Sequence, residues 1–393
     1  MQKILKTRWL LILCVAVFVA CTDSTPEIPQ EPVDKSIFMY LPHSGSTSLY
    51  NAFQQNIRDV SAAMKEMRGL GGCRLVIFIS DVVSRGRFIE LRYDAEADAV
   101  VRDTIEVMQN PEVTTADGVA AILGKMKQIA PAQKYAMLVG SHGDGWLPAS
   151  NSGPNKALMW YGSSDAEYRT DLTTLAKAIE QTGIHMELMA FDICYMSCVE
   201  TAYDLRRVTD WIIGSTSEVM SYGMPYKRVL RHLVSSAPDY QQFVDDYIGF
   251  YSTYYYPYAT IGVTRCEHLD DMAALMREIN SKHTISSEQL ARVQDLDALH
   301  HTPNIYIDFG DYVDKMLGDA SAVDADAADL LKRFHAALDK LVPYKGTTGE
   351  IMSMPGYNVI AVEAFSGLSI SDATTNPLAV QTKTNTAWWK ATH

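Results

Sequence analysis

The sequence predicts an α/β protein with a mostly parallel sheet and helices on both faces, followed by a C-terminal α+β extension packed onto it. Three observations lead to this fold class. Apolar runs of strand length alternate with segments whose apolar residues recur at helical spacing. The connections between these elements are short, and two of the strands run directly into polar, chemically reactive turns. Strand–helix alternation of this kind is typical of parallel sheets with a helical layer on each side.

The first half of the chain carries most of these elements. Two near-continuous apolar runs predict strands buried on both faces, and an alternating segment predicts a more exposed strand. Three segments with helical spacing follow or separate them, each ended by glycine or proline. The predicted strands are Ser36–Leu41, Arg74–Ser80, Phe88–Asp94, Lys134–Gly140, Met186–Phe191 and Trp211–Ser215, and the predicted helices are Leu49–Met64, Val119–Ile129 and Leu172–Ile179.

The pattern changes beyond about residue 255, so we divide the chain into a catalytic domain over residues 36–255 and a C-terminal subdomain over residues 256–393. No internal repeat or long linker separates them. In the second part we predict a strand, two helices and a late pair of strands: Ile261–Cys266, Leu269–Ile279, Asp326–Lys340, and Val359–Phe365 with Leu368–Ser371.

Composition limits the function classes. The chain has 393 residues, 47% of them hydrophobic, which is enough for one large core or two smaller ones. Its formal net charge is −13, and removal of residues 1–20, which contain basic residues but no acid, makes it more negative. We therefore expect no nucleic-acid partner.

Residues 1–20 are expected to be a signal peptide. Three basic residues precede the apolar run Trp9–Ala20, which is too short to span a bilayer. The next residue, Cys21, completes a segment that resembles a bacterial lipoprotein cleavage box, so we expect lipidation of Cys21 and a membrane anchor in the bacterial cell envelope, at the outer membrane or the periplasmic face. Residues 21–35, rich in proline and acid, would then form a tether. A plain signal peptide cut nearby is the alternative.

Beyond Cys21, the mature chain would retain four cysteines, too few for a disulfide scaffold in an exported protein of this size. Cys194 and Cys198 are four residues apart, on what we expect to be one face of a helix, where a disulfide would be strained. We therefore expect Cys198 to be a small buried residue of that helix.

Two of the predicted strands are followed directly by chemically reactive side chains. The strand Lys134–Gly140 runs into the turn SHGDGW and delivers His142, and the strand Met186–Phe191 runs into Asp192, Cys194 and an expected helix start. Open α/β sheets bind ligands at the carboxyl ends of their strands. A thiol and an imidazole at two such ends are what a cysteine nucleophile requires.

The segments SHGDGW and FDICYMSCVE resemble the motifs of the clostripain-like cysteine peptidases, His-Gly-x-Gly-Trp and Asp-x-Cys-x-Met…Glu. Gly214–Tyr226, Gly367–Ser371 and the closing TAWW resemble further elements of that family, so the resemblance covers most of the mature chain. It implies the caspase-like fold shared with caspases, legumain and gingipains. The separation of His142 from Cys194, 52 residues, is close to the spacing of about 50 found in caspases.

The resemblance implies Cys194 as nucleophile and His142 as the acid/base that protonates the leaving amine. Backbone N–H groups of Gly143 and Cys194 would stabilise the oxyanion. A nearby imidazolium and a helix N-terminus would lower the pKa of the thiol. No third member of a triad is evident.

Asp192 is implied as the residue that binds an arginine or lysine side chain at P1 of a protein or peptide substrate, through a charge-assisted contact. Family members often have Gly-Asp-Gly where this chain has Ser221-Tyr222-Gly223, so Tyr222 replaces a second acid and a narrower or altered pocket is a real alternative. Asp192 as the cap of the following helix is another.

Relatives are often made as zymogens and cut between the histidine and cysteine strands, where Lys156 and Arg169 offer basic cleavage points. Some relatives depend on calcium, but the sequence identifies no calcium site, and we expect no cofactor and no metal ligand. The oligomeric state is not predicted.

Other interpretations remain open at this stage. Cys194 could be an inert core thiol, Asp144 is read as a turn residue, and His300 and His301 are placed in a solvated loop. A zinc site of His142, Cys194 and Cys198 lacks a C-x2-C pair and a fourth ligand. The alternative functions are a catalytically inactive caspase-like binding or scaffold lipoprotein, and a hydrolase or transpeptidase acting on another acyl substrate.

Overall fold

The computed structural model describes residues 31–147 and 160–393. The expected signal peptide, the lipidation site Cys21 and most of the tether lie outside the described residues. Residues 32–393 form one compact unit. The domain boundary predicted near residue 255 therefore runs through this unit.

The strands are numbered in chain order. They are β1 Val33–Leu41, β2 Arg74–Val82, β3 Arg85–Asp94, β4 Ala99–Gln109, β5 Ala132–Gly140, β6 His142–Gly143, β7 Trp160–Gly162, β8 Arg169–Asp171, β9 Met186–Asp192, β10 Thr209–Gly214, β11 Thr260–Arg265, β12 Ile307–Asp308, β13 Tyr344–Thr347, β14 Glu350–Ser353, β15 Asn358–Ala361 and β16 Ser369–Ile370.

The α-helices are numbered in the same way. They are α1 Thr47–Met67, α2 Ala116–Ile129, α3 Leu172–Thr182, α4 Val199–Leu205, α5 Tyr226–Leu233, α6 Tyr240–Tyr251, α7 Leu269–Lys282, α8 Ser287–Leu290, α9 Phe309–Ser321, α10 Ala325–Leu341, α11 Pro377–Val380 and α12 Ala387–Thr392. None of these helices, which cover the described ranges only, has both the length and the apolar character of a membrane span.

The central sheet has nine strands in the order β13-β11-β10-β9-β5-β1-β2-β3-β4. Its five inner strands, β10 to β2, are parallel, and antiparallel strands extend it at both edges. The α/β class and the largely parallel core predicted from the sequence are confirmed. Because β11 and β13 come from beyond residue 255, the C-terminal part of the chain completes the same sheet.

Two hydrophobic cores lie on opposite faces of this sheet. Phe38 and Tyr40 of β1 belong to a cluster with α2, α3 and α4, whereas Ile37 and Met39 belong to a cluster with α1, α5 and α6. Alternate residues of a strand point to opposite faces, so one apolar run supplies both cores. Complete burial of such a side chain contributes roughly 1.5–3 kcal/mol. Helices cover both faces, as predicted.

Several elements were not predicted, among them the helices α5, α6 and α9 and the sheet strands β4 and β13. The strand β4 was not predicted, because it is an edge strand whose residues are partly or fully exposed and carry no continuous apolar run. The two late strands are present but shorter than predicted, and their partners were not predicted: β15 pairs with β14, and β16 pairs with β12. Pairing between strands distant in sequence is not encoded in local periodicity.

Candidate active site

The site is built on two adjacent parallel strands, β5 and β9, whose last residues, Gly140 and Asp192, are register partners. His142 lies two residues beyond Gly140, and Cys194 lies two residues beyond Asp192. Both side chains line one cavity of about 670 Å³ at the carboxyl ends of these strands. The structure thus brings the predicted nucleophile and the predicted acid/base to the same cavity.

Cys194 lies in a tight turn between β9 and α4. The next residue, Tyr195, has φ of 59°, a left-handed conformation that is costly for a residue with a side chain. Its N–H donates to the carbonyl of Ser217 (3.1 Å), and the backbone N–H of Val219 donates to Sγ of Cys194 (3.3 Å). The segment 217–219 therefore holds the thiol in place.

The helix expected immediately after Cys194 begins later than predicted. α4 starts at Val199, and Cys198 is its N-cap, with no exposed surface. Cys198 is thus buried, as predicted, but it precedes the helix rather than lying within it. Since the helix dipole acts only over the first turn, it does not reach Cys194.

The electrostatics of the free thiol also differ from the expectation. Burial raises the pKa of the Cys194 thiol to about 12, and Glu218 and Asp144 add to this shift. The pKa of His142 is lowered by burial and by the positive charge of Arg169. Both shifts favour the neutral forms, so the thiol and the imidazole are uncharged at neutral pH in this state.

His142 and Gly143 form the short strand β6, which pairs with Gly162 and Tyr161 of β7. Nε2 of His142 is buried and has no hydrogen-bond partner in the described part of the chain. A buried imidazole nitrogen that faces a cavity without a partner is available to a substrate or to a reacting thiol.

The turn after His142 requires glycine at position 145. Gly145 has φ of +53°, and an added Cβ would lie 2.4 Å from the hydroxyl oxygen of Tyr306 and 2.9 Å from the carbonyl oxygen of Tyr195. The Tyr306 hydroxyl donates to the carbonyl of Asp144 (2.7 Å), and its ring stacks on Tyr195 at 4.6 Å. Tyr306 therefore connects the turn after His142 (residues 142–146, the histidine turn) to the turn that contains Cys194 and Tyr195 (the cysteine turn).

The two predicted oxyanion donors lie beside this cavity. Gly143 and Cys194 both line it. The N–H of Cys194 donates to no backbone carbonyl among residues 31–147 and 160–393, whereas its neighbour Tyr195 does. An N–H group without a partner at the end of a strand can donate a hydrogen bond to a developing oxyanion.

Asp192 lines the same cavity at the end nearest α1. Its carboxylate accepts hydrogen bonds from Nδ2 of Asn56 and from the backbone N–H of Met224, both at 2.9 Å. Burial raises its pKa to about 6. Because α4 begins at Val199, the alternative in which Asp192 caps this helix is wrong.

Tyr222 and Gly223 line the same cavity, with Gly223 beside the carboxylate of Asp192. The hydroxyl of Tyr222 donates to Oδ2 of Asp59 (2.7 Å), and its ring packs on Phe250 at 4.7 Å. A Cβ at Gly223 would lie 2.6 Å from the carboxylate of Asp192. The tyrosine is therefore directed toward α1, and the glycine leaves room for the carboxylate.

The sequence did not identify His300 and His301 as neighbours of the site. His300 lines the cavity, and its Nδ1 lies 2.6 Å from Oε1 of Glu218. Nδ1 of His301 lies 2.9 Å from Oδ1 of Asp297, and its Nε2 lies 3.3 Å from Oδ2 of Asp144. The prediction of a solvated loop was therefore wrong for this pair, because His301 is buried.

Asp144, His300 and His301 each place one potential ligand atom within 4.8 Å of the other two, and within the described ranges no other such group is found. Calcium prefers six to eight oxygen ligands, so a group with two imidazoles does not fit it. No local pattern indicates this group, because 156 and 157 residues separate Asp144 from His300 and His301.

Comparison with known proteins places this geometry in a family. The family model described as the clostripain family matches residues 43–369. A secreted C11 cysteine protease from Bacteroides thetaiotaomicron, iotapain, is 38% identical with a TM-score of 0.84, and the match covers 93% of this chain and 100% of that chain. No curated protein sequence matches the chain.

Two further solved structures are similar. A clostripain from Bacteroides thetaiotaomicron ATCC 29148, in complex with the peptide inhibitor BTN-VLTK-AOMK, is 43% identical with a TM-score of 0.54, over 58% of this chain and 97% of that chain. An inactive zymogen C11 protease from Parabacteroides distasonis is 24% identical with a TM-score of 0.76, over 93% of this chain and 99% of that chain, and it supports the fold alone.

The family match spans most of the chain, and the similarity to iotapain extends over nearly its whole length. The resemblance inferred from the two motifs is confirmed, together with the caspase-like α/β fold. The chain belongs to the clostripain family and is a cysteine peptidase.

Proposed function

We propose that the chain cleaves peptide bonds with Cys194 as nucleophile and His142 as acid/base. The observation that carries this proposal is the position of both side chains, each two residues beyond a register pair of adjacent parallel strands and both lining one cavity. The thiol and the imidazole can therefore act on one substrate carbonyl. The proposed chemistry requires no cofactor.

The neutral thiol and neutral imidazole define the order of proton transfers. As the sulfur attacks the carbonyl carbon, the thiol proton passes to His142, and the carbonyl becomes an oxyanion held by the N–H groups of Cys194 and Gly143. The imidazolium then protonates the leaving amine as the C–N bond breaks. Water, deprotonated by His142, hydrolyses the thioester and restores the thiol.

Asp192 supports a preference for lysine or arginine at P1. Its carboxylate lies at the end of the cavity lined by α1, and it is ionised above a pKa of about 6. A partly buried carboxylate beside apolar side chains such as Leu49 and Phe53 suits a long side chain with a terminal cation. The 43% identical clostripain was solved with an inhibitor whose peptide, VLTK, ends in lysine.

Self-processing is the second part of the proposal, and Lys156 is the favoured cleavage point. Arg169 lies in β8, where it pairs with Gly162, and its guanidinium donates to the carbonyls of Ser163 and Ser164. A peptide bond within a paired strand cannot adopt the extended path through an active site unless the strand first detaches. Lys156 lies outside the described residues.

Export and a lipid anchor at Cys21 complete the proposal. Iotapain and a second similar structure from Bacteroides thetaiotaomicron are secreted C11 cysteine proteases. The apolar run Trp9–Ala20 behind basic residues supports export of this chain as well, and Cys21 supports attachment to the cell envelope. Incorporation of radiolabelled palmitate that is lost in Cys21→Ala would test the anchor.

Turnover of fluorogenic peptides that differ only at P1, with and without the substitution Cys194→Ala, tests the peptidase proposal. Thiol-dependent release of the fluorophore after lysine or arginine is the expected result. Tight peptide binding without turnover would instead favour the inactive binding protein. Hydrolysis of simple esters, or transfer of an acyl group to amines, without hydrolysis of peptides would favour a different acyl substrate.

A further inference from the structure

The loop that contains His300 and His301 meets the histidine turn at Asp144, and this contact is not used by the proposed chemistry. Oδ2 of Asp144 and Nε2 of His301 lie 3.3 Å apart. Two ligands held about 2.0–2.2 Å from a tetrahedral zinc ion are themselves roughly 3.3–3.5 Å apart. This pair therefore already has the separation of two zinc ligands.

Both imidazoles are oriented by carboxylates. Nδ1 of His300 faces Glu218 at 2.6 Å, and Nδ1 of His301 faces both oxygens of Asp297, at 2.9 and 3.1 Å. Histidines that bind metals commonly donate their other N–H to a carboxylate, which fixes the tautomer and the ring orientation. This arrangement leaves Nε2 of His300 for an ion, while Nε2 of His301 faces Oδ2 of Asp144 and would exchange that contact for the metal.

The third potential ligand is incompletely satisfied. Oδ1 of Asp144 is buried and has no hydrogen-bond partner among the residues that the structure describes. A buried carboxylate oxygen without a partner is costly, and coordination of a cation would satisfy it.

The local charge favours a cation. Three carboxylates, Asp144, Glu218 and Asp297, surround two imidazoles. A cluster of carboxylates around two imidazoles attracts a divalent ion.

We propose that Asp144, His300 and His301 bind a divalent transition metal of the zinc class at the rim of the substrate cavity, and that the bound ion inhibits the peptidase. Two imidazoles and one carboxylate suit zinc rather than calcium or magnesium, which prefer oxygen ligands. The inhibitory part rests on the proposed function. Because Asp144 and His300 line the cavity, an ion held there by three protein ligands keeps an open position that faces the substrate space.

Zinc binding to the full chain carrying Cys194→Ala tests the site without the thiol as a competing ligand. We expect one ion per chain in competition with a chromophoric chelator, and cobalt absorption bands of a four-coordinate site. Asp144→Asn, which keeps the side-chain shape, and His301→Ala should each weaken binding at least about tenfold, and Asp297→Asn about 10- to 100-fold. His335→Ala, which removes an exposed histidine paired with Asp314, should not change it.

Absence of zinc binding in the Cys194→Ala protein would overturn the site, and so would unchanged affinity in Asp144→Asn, whose folding is checked by its melting temperature. The inhibitory part is tested on the active protein, where His300→Ala should raise the zinc concentration for half-inhibition at least about tenfold. Unchanged inhibition in that variant would overturn it. A protein without any peptidase activity would contradict the proposed function, while the binding measurement would still decide the metal site.

Discussion

Gly140 and Asp192 are register partners at the carboxyl ends of two adjacent parallel strands. Two residues beyond each of them, the chain places His142 and Cys194 in the lining of the same cavity. The pairing of β5 with β9 therefore fixes the imidazole and the thiol relative to each other, while Asp192 itself supplies a carboxylate to that cavity beside Asn56 of α1. One strand pair thus organises both the proposed chemistry and the proposed specificity.

The pKa shifts at Cys194 predict a steep pH dependence of its alkylation. The reactive species is the thiolate. For a thiol with a pKa of about 12, the ionised fraction increases about tenfold with each pH unit below that value. We expect the rate of iodoacetamide modification of Cys194, followed by peptide mapping, to rise about tenfold per unit from pH 6 to 9. His142→Ala should leave this slope unchanged. A plateau below pH 8 would reveal a stable thiolate–imidazolium pair instead.

Asp192 predicts that specificity depends on pH. Its pKa is raised to about 6, so the carboxyl is neutral below that pH and charged above it. The ratio of kcat/KM for P1 lysine to that for P1 glutamine should therefore increase from pH 5 to 7 and then level off. Asp192→Asn should lower kcat/KM for lysine by about 10- to 100-fold, since a hydrogen bond to a charged group contributes about 1.5–3 kcal/mol.

The matched control for this change is Asp339→Asn, which alters an exposed acid on α10 and should not affect the ratio. The Asp192→Asn protein should retain its activity toward P1 glutamine. If the ratio were insensitive to both pH and Asp192→Asn, the carboxylate would not bind the P1 side chain.

Gly145→Ala tests the coupling of the histidine turn to the cysteine turn. The substitution combines a positive φ with contacts to Tyr306 and Tyr195, so we expect a loss of about 1–3 kcal/mol in the free energy of unfolding and a lower kcat. Gly249→Ala, in the last turn of α6 with open space around it, should instead stabilise the protein by about 0.5–1 kcal/mol. Denaturant unfolding measures both. Equal stability of the two variants would contradict this account of the turn.

Self-processing should depend on Lys156 rather than on Arg169. Incubation of the pure protein is expected to give two fragments, and Lys156→Ala should abolish them, whereas Arg169→Ala should not, because β8 holds residue 169 in a paired strand. Mass spectrometry of the fragments identifies the bond. Fragmentation that persists in Cys194→Ala would exclude self-processing.

Most of the sheet could be predicted from the sequence because its inner strands are continuous apolar runs. Strands such as β1 and β2 are buried on both faces, so nearly every residue contributes to the signal. The edge strand β4 has little buried surface and left no such signal. Likewise, His142 and Cys194 could be found because each directly follows a recognisable strand.

The sequence could not predict the surroundings of these residues. A local pattern shows neither the start of α4 at Val199 nor the burial of Cys194 beside Glu218, and burial is the main reason why the pKa of this thiol is raised rather than lowered. The contacts of His300 with Glu218 and of His301 with Asp144 join segments 82 and 157 residues apart. Only the tertiary fold brings them together.

Cys194 is proposed to attack a substrate held by this cavity with the help of His142. Reaction with a peptide acyloxymethyl ketone that ends in lysine, followed by peptide mapping, is the sharpest test of this role. We expect one adduct, on Cys194, whose rate of formation falls about 10²- to 10⁴-fold in His142→Ala and is unchanged in Cys73→Ser, which alters a half-buried thiol bonded to the Val234 carbonyl. An adduct on another residue, or equal rates with and without His142, would contradict it.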